Sequence, residues 1–109
     1  MEGKDEEWLD NVDTLIHNAL SDINLSAEYI AELLDISRSQ LYRKLYILRG
    51  VTPHDYIQEK RLKHARQLLE LGEVQSVKAA AHAVGIRKVQ HFSEQFKAHY
   101  GRLPSSFLK

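Results

Sequence analysis

The sequence predicts an all-α fold of seven helices, in which one long central helix joins two copies of a helix–turn–helix unit. Three observations predict it. Residues 53–71, PHDYIQEKRLKHARQLLEL, carry Ile57, Leu62, Ala65, Leu68 and Leu69 at roughly helical spacing, between Thr52-Pro53 and Gly72. That is an amphipathic helix with an N-cap, a proline in its first turn and a left-handed stop. Next, Leu41, Leu45, Gly50, Pro53 and Tyr56 recur 51 positions later as Phe92, Phe96, Gly101, Pro104 and Phe107. Ala31 and Ile36 recur 50 positions later as Ala81 and Ile86, so the second copy has one extra residue near its turn. Internal repetition of this kind fixes architecture before any single element does. Finally, every link between periodic segments is short, and no low-complexity segment or flexible linker interrupts the chain.

The elements follow in order. Residues 6–21 place Trp8, Leu9, Val12, Leu15, Ile16, Ala19 and Leu20 on one face and acids on the other. That acidic face is either a docking surface for another domain or a solvated face. Ser26 caps a second helix running to Leu34, with Leu25 and Ile30 spaced as a hydrophobic staple. Asp35 takes the turn, because Asp tolerates the left-handed region. Ser37 caps a third helix to Arg49, Gln40 completes a capping box, and Ile36 faces Leu41. With Leu41, Leu45 and Leu48 inward, that helix leaves Arg38, Ser39, Tyr42, Arg43 and Tyr46 outward. In the second copy Ser76 caps residues 77–84, where Ala79 to Ala81 make a thin helix that a neighbour crosses closely, and Gly85 takes the turn. Residues 87–100 form the next helix, with Phe92, Phe96 and either Val89 or Tyr100 inward, and Pro104 starts a last short helix. The boundaries are therefore 6–52 for the first unit, 53–71 for the connector and 72–109 for the second.

Composition excludes more than it identifies. A chain of 109 residues builds one modest core. With no cysteine there is no disulfide framework or thiolate metal site, which fits a reducing cytoplasm. No apolar run has the length of a membrane span, and MEGKDEEW does not read as a signal peptide. The six histidines, His17, His54, His64, His82, His91 and His99, are scattered without metal-ligand spacing. There is no phosphate-cradling glycine loop and no nucleophile elbow, so neither an enzyme nor a cofactor is expected. The net charge is zero, yet residues 1–35 hold ten acids against one base and residues 36–109 fourteen bases against five acids. A basic body of this kind is the electrostatic footprint of phosphate contact.

The strings SRSQLYRKL (37–45), GVTPHDYI (50–57), RLKHARQLL (61–69), AHAVGI (81–86), HFSEQFK (91–97) and GRLPSSF (101–107) together resemble the DNA-binding domain of the AraC/XylS family of bacterial transcription regulators. The resemblance covers about residues 21–107, and the leading helix with LYRKL is also similar to versions at the C-terminus of hybrid two-component regulators. It implies that residues 1–109 are a single homeodomain-like domain for sequence-specific binding of double-stranded DNA. Its two recognition helices (about 37–49 and 87–100) then enter successive major grooves about 34 Å apart, where base edges are distinguishable. Carried over position by position, it implies base reading by Ser39, Tyr42 and Arg43 in the first unit and by Val89, Gln90 and Glu94 in the second. Phosphate binding falls to Ser37, Arg38, Lys44, Arg87, Lys88, His91, Ser105 and Ser106. Glu94 departs from the family, which commonly has arginine there; it either accepts from a cytosine amino group or pairs with Lys97 or Arg87. The weak cap at Arg87 implies a loose first turn. The implied partners are DNA, RNA polymerase and attached sensor or receiver domains, with a monomer in isolation and no membrane contact. The competing reading is a helical protein-interaction module using the acidic first helix, which predicts no salt-dependent nucleic-acid affinity. Double-stranded RNA is disfavoured, because its deep major groove does not admit a helix.

Overall fold

A computed structural model of the chain describes residues 3–109, so Glu2, counted in the acidic segment, lies outside the described residues. It contains α1 (Gly3–Asn18), α2 (Ala27–Leu34), α3 (Arg38–Arg49), α4 (Pro53–Glu70), α5 (Val77–Ala83) and α6 (Val89–Tyr100), closed by a 3₁₀ turn at Pro104–Phe107. The seventh expected helix is thus that single tight turn. The chain divides into two compact units. The first comprises the residues up to Ala19 with Asn24–Glu59, and the second Leu20–Ile23 with Lys60–Lys109. The division falls inside α4, so the connector expected over 53–71 contributes to both units.

In the first unit, α1 buries Leu9, Val12 and Ile16 and stops three residues short of the expected Ser21, where Ala19 N–H donates to Ile16 C=O at 3.1 Å. Such an i→i+3 bond tightens and ends a helix. Ser26 Oγ accepts from Tyr29 N–H at 3.2 Å, and Asp35 ends α2 at φ 56°. The capping box of α3 is complete: Ser37 Oγ accepts from Gln40 N–H at 3.1 Å, and Gln40 Oε1 from Ser37 N–H at 2.8 Å. Leu41 and Leu45 are buried beneath it. Thr52 Oγ1 accepts from Asp55 N–H at 3.1 Å and so caps α4.

Tyr56, buried in the first turn of α4, donates its hydroxyl to Asp13 Oδ1 at 2.5 Å. Burial first and this bond second push its phenol well above the ordinary 10.0, with Arg49 opposing. A pKa raised in the folded state contributes stability that is fully present below the unfolded value and lost as pH rises beyond it. Stability should therefore decline above about pH 10. In denaturant titrations at pH 8 and pH 11, Tyr56→Phe should be less stable than the parent at pH 8 and fall less between the two. An identical fall in both proteins would refute the assignment.

The second unit is built on Leu62, Ala65, Leu69, Ala80, Ala81, Val84, Ile86, Phe92 and Phe96, with Leu68, Val74, Val77, Tyr100 and Phe107 packed against them. Phe96 is the hub, with ring centroids 4.8 Å from Tyr100, 5.5 Å from Phe107 and 5.7 Å from Phe92. Ser76 Oγ caps α5 by accepting from Ala79 N–H at 3.0 Å. The turn repeats the first copy bond for bond: Ile86 N–H reaches Ala81 C=O at 2.9 Å, as Ile36 N–H reaches Ala31 C=O at 3.0 Å. α6 begins at Val89, two residues after the expected Arg87. Its N-cap position is Lys88, which offers no side-chain acceptor, so nothing holds the first turn in place any earlier.

One buried polar group was not foreseen. Arg61, in the RLKHARQLL stretch, is only 8% exposed, and its Nη2 donates to Asp22 C=O at 2.6 Å. Burial draws its pKa down from the ordinary guanidinium value, while the charge of Asp22 opposes that shift. Its Nε has no hydrogen-bond partner among the described residues. The side chain ties the Leu20–Ile23 segment into the second unit.

Candidate nucleic-acid interface

Twelve residues of α3 with a buried Leu41–Leu45 stripe leave the opposite face to solvent. Arg38, Ser39, Tyr42, Arg43, Tyr46 and Ile47 line a shallow concavity of about 600 Å³ on that face. All three expected base-reading residues of this helix, Ser39, Tyr42 and Arg43, therefore share one surface. Arg43 is exposed and makes no hydrogen bond or ion pair among the described residues. Its five fixed donors are free for an outside acceptor. Tyr46 and Ile47, 57% and 73% exposed, complete the surface and were not among the expected site residues. Their positions were legible, since Tyr46 and Ile47 lie three and four residues beyond Arg43 on the same helix face.

The expected phosphate contacts of this unit divide. Ser37 caps α3, so its hydroxyl oxygen already serves Gln40 N–H. Arg38 remains at the rim and makes an exposed 3.4 Å ion pair with Glu28, a contact worth little in solvent. Lys44 is half-buried, with its ammonium 4.7 Å from the centre of the Trp8 ring. It lines the groove between α1 and α3, together with Asp5, Trp8 and Gln40, and not the concavity of Ser39 and Tyr42; Arg43 and Ile47 border both. The cation–π contact adds ~0.5–1 kcal/mol at such a site and gives the acidic α1 a basic partner on α3.

In the second unit, Arg87 and Lys88 lie before α6 rather than on it, both exposed, and His91 is exposed on its first turn. The first N–H groups of α6 have no side-chain cap, and such a helix start favours an anion. Val89 is half-buried, leaving less of it for a base edge than of its neighbours. Gln90 and Glu94 are exposed one turn apart, and Gln90 Nε2 donates to Glu94 Oε1 at 3.3 Å. The two internal partners considered for Glu94, Lys97 and Arg87, make no ion pair with it among the described residues. Gln90 lies one helical turn back, within reach of the carboxylate, while Arg87 lies outside the helix. Ser105 is exposed, and Ser106 Oγ donates to Leu103 C=O at 2.6 Å, which leaves its oxygen free to accept but commits its proton.

Comparison with known proteins agrees with this geometry. A family profile described as a helix-turn-helix domain matches residues 30–109. A histidine kinase P4 of Formosa agariphila is 27% identical over 103 residues, covering 94% of this chain and 7% of that protein. The Msm operon regulatory protein of Streptococcus mutans is 30% identical over 102 residues, again 94% of this chain and 36% of its relative. The chain thus spans little more than a third, or far less, of these proteins. A solved transcriptional regulator of Chromobacterium violaceum with an AraC-type DNA-binding domain superposes with a TM-score of 0.87 at 28% identity, covering 97% of this chain and 93% of that one. On its repeat, its fold and these matches, the chain belongs to the helix-turn-helix family of AraC/XylS-type DNA-binding domains.

Proposed function

We propose that the chain binds double-stranded DNA sequence-specifically, using the exposed face of α3 and the first turns of α6, and that it regulates transcription by doing so. The observation that carries the reading is Arg43, unpaired and exposed within a concave surface whose other members are Arg38, Ser39, Tyr42, Tyr46 and Ile47. A guanidinium pairs both guanine acceptors at once, while hydroxyl and aromatic neighbours reach phosphates and thymine methyls. Arg87, Lys88 and His91 beside the uncapped start of α6 supply the backbone contacts of the second unit, with Ser105 as a further phosphate donor; Ser106, its proton committed to Leu103 C=O, is not one. In the whole protein we place this domain downstream of a sensor or receiver and in contact with RNA polymerase, in the cytoplasm where the chromosome lies. The small share it makes of the kinase and operon-regulator relatives supports that placement. No helix among the described residues is long and apolar enough to cross a membrane.

Fluorescence anisotropy with labelled duplexes tests this. Binding to random duplex should weaken steeply between 50 and 200 mM salt, since each neutralised phosphate adds about 0.9 to the log–log slope. On a site enriched from a random library, Arg43→Ala should lose ~1–3 kcal/mol, roughly fivefold to 150-fold in affinity, together with the preference at one base pair. No binding at low salt would reject the reading and turn attention to the acidic face of α1 as a protein-docking surface.

A further inference from the structure

Resting on the DNA-binding reading above, we infer that Glu94 is the base-selecting group of α6, that it selects cytosine, and that Gln90 is the positioning residue that aims it. Four observations bear on this. Both side chains are exposed on α6, and Gln90 Nε2 donates to Glu94 Oε1 at 3.3 Å. The amide orientation is fixed by chemistry, because the reverse assignment would set two acceptors against each other. No cation pairs with Glu94 among the described residues, so its charge is not neutralised within the fold. Arg87, Lys88 and His91 stand exposed at the start of the same helix, where they offset the repulsion between a carboxylate and the phosphates.

The direction of the bond matters. Helical side chains already lean toward the N-terminus, and Gln90 draws the Glu94 carboxylate further that way. The N-terminal residues are the part of a recognition helix that meets base edges. An ionised carboxylate only accepts, so it is repelled by the N7 and O6 of guanine and the O4 of thymine, and on adenine it meets the N7 acceptor beside the amino group. Cytosine alone offers an amino donor with no acceptor of its own on that edge. Gln90 itself is turned away from the two-point adenine contact its side chain would otherwise suit, because its amide nitrogen points toward Glu94.

Selection from a randomised duplex library, sequenced after enrichment by the parent, Glu94→Gln and Gln90→Ala proteins, tests the assignment. The parent should enrich a site with one cytosine preferred about tenfold or more over the other bases. Glu94→Gln should abolish that preference and tighten binding to random duplex, since a negative charge facing the phosphates is gone. Gln90→Ala should keep the cytosine and weaken its preference several-fold. An unchanged motif in Glu94→Gln overturns the inference. Loss of an adenine preference in Gln90→Ala, with cytosine untouched, overturns the positioning role. Failure of the parent to enrich any sequence overturns the DNA-binding reading beneath both, and so is distinguishable from either.

Discussion

Replacing Phe96 with alanine is expected to cost the second unit about 3–5 kcal/mol, the range for truncating a fully buried aromatic residue. Phe96 has no measurable exposure, and its ring meets Phe92, Tyr100 and Phe107. Two of those contacts lie within α6 and the third joins the helix to the closing 3₁₀ turn. Arg66 stacks on the same group, 4.8 Å from the Tyr100 ring and 5.0 Å from the Phe107 ring, so it loses an ordered platform when the hub is removed. Set against a typical domain stability of about 5–15 kcal/mol, this loss is severe. Thermal melting should shift down by more than about 10 °C, at roughly 4–8 °C per kcal/mol for a unit of this size. Arg43→Ala, by contrast, should leave the melting curve in place while weakening DNA binding. A Phe96→Ala protein that melts within a few degrees of the parent would show that the aromatic cluster is not what holds α6.

The local chemistry of the chain was legible because its signals act over three or four residues. The Ser37–Gln40 box, the Ser26 and Ser76 caps, and the left-handed turn at Asp35 need nothing beyond neighbours in sequence. The repeat supplied the long-range part: Leu41 and Leu45 are buried as Phe92 and Phe96 are, and Pro53 is buried as Pro104 is. What sequence did not show depends on which elements meet. Arg61 reads as one more solvated base on an amphipathic helix, and only the arrival of the Asp22 carbonyl explains its burial. Lys44 reads as a phosphate contact until Trp8 is placed beneath it. Tyr56 and Phe107 occupy matching positions, yet one has a hydroxyl bonded to Asp13 and the other packs an apolar ring on Phe96. The Gln90–Glu94 pair is different, because its i,i+4 spacing alone brings the amide within reach of the carboxylate.

Gly85→Ala should be far more damaging than Gly50→Ala, although both glycines have positive φ, 77° and 68°. Left-handed backbone costs a residue with a Cβ about 1–2 kcal/mol at either position. At Gly50 that is the whole cost, because a Cβ there meets nothing within 4 Å. At Gly85 it would lie 2.6 Å from Leu20 C=O, 3.2 Å from the Ser21 carbonyl carbon and 3.0 Å from Arg61 Nη2. Two of these atoms are backbone, and the third is committed to Asp22 C=O at 2.6 Å, so none withdraws cheaply. Adding an overpacking cost of about 1–3 kcal/mol to the strain gives a total near 2–5 kcal/mol. The comparison also explains why the two copies differ at this turn. Asp35 holds the equivalent position at φ 56° on an exposed stretch, where a side chain has room, whereas the second copy packs the Leu20–Ile23 segment against it. Urea titrations of the two variants side by side decide the matter. If Gly85→Ala lost no more stability than Gly50→Ala, the close approach of Leu20 would not constrain the turn, and the glycine there would reflect backbone conformation alone.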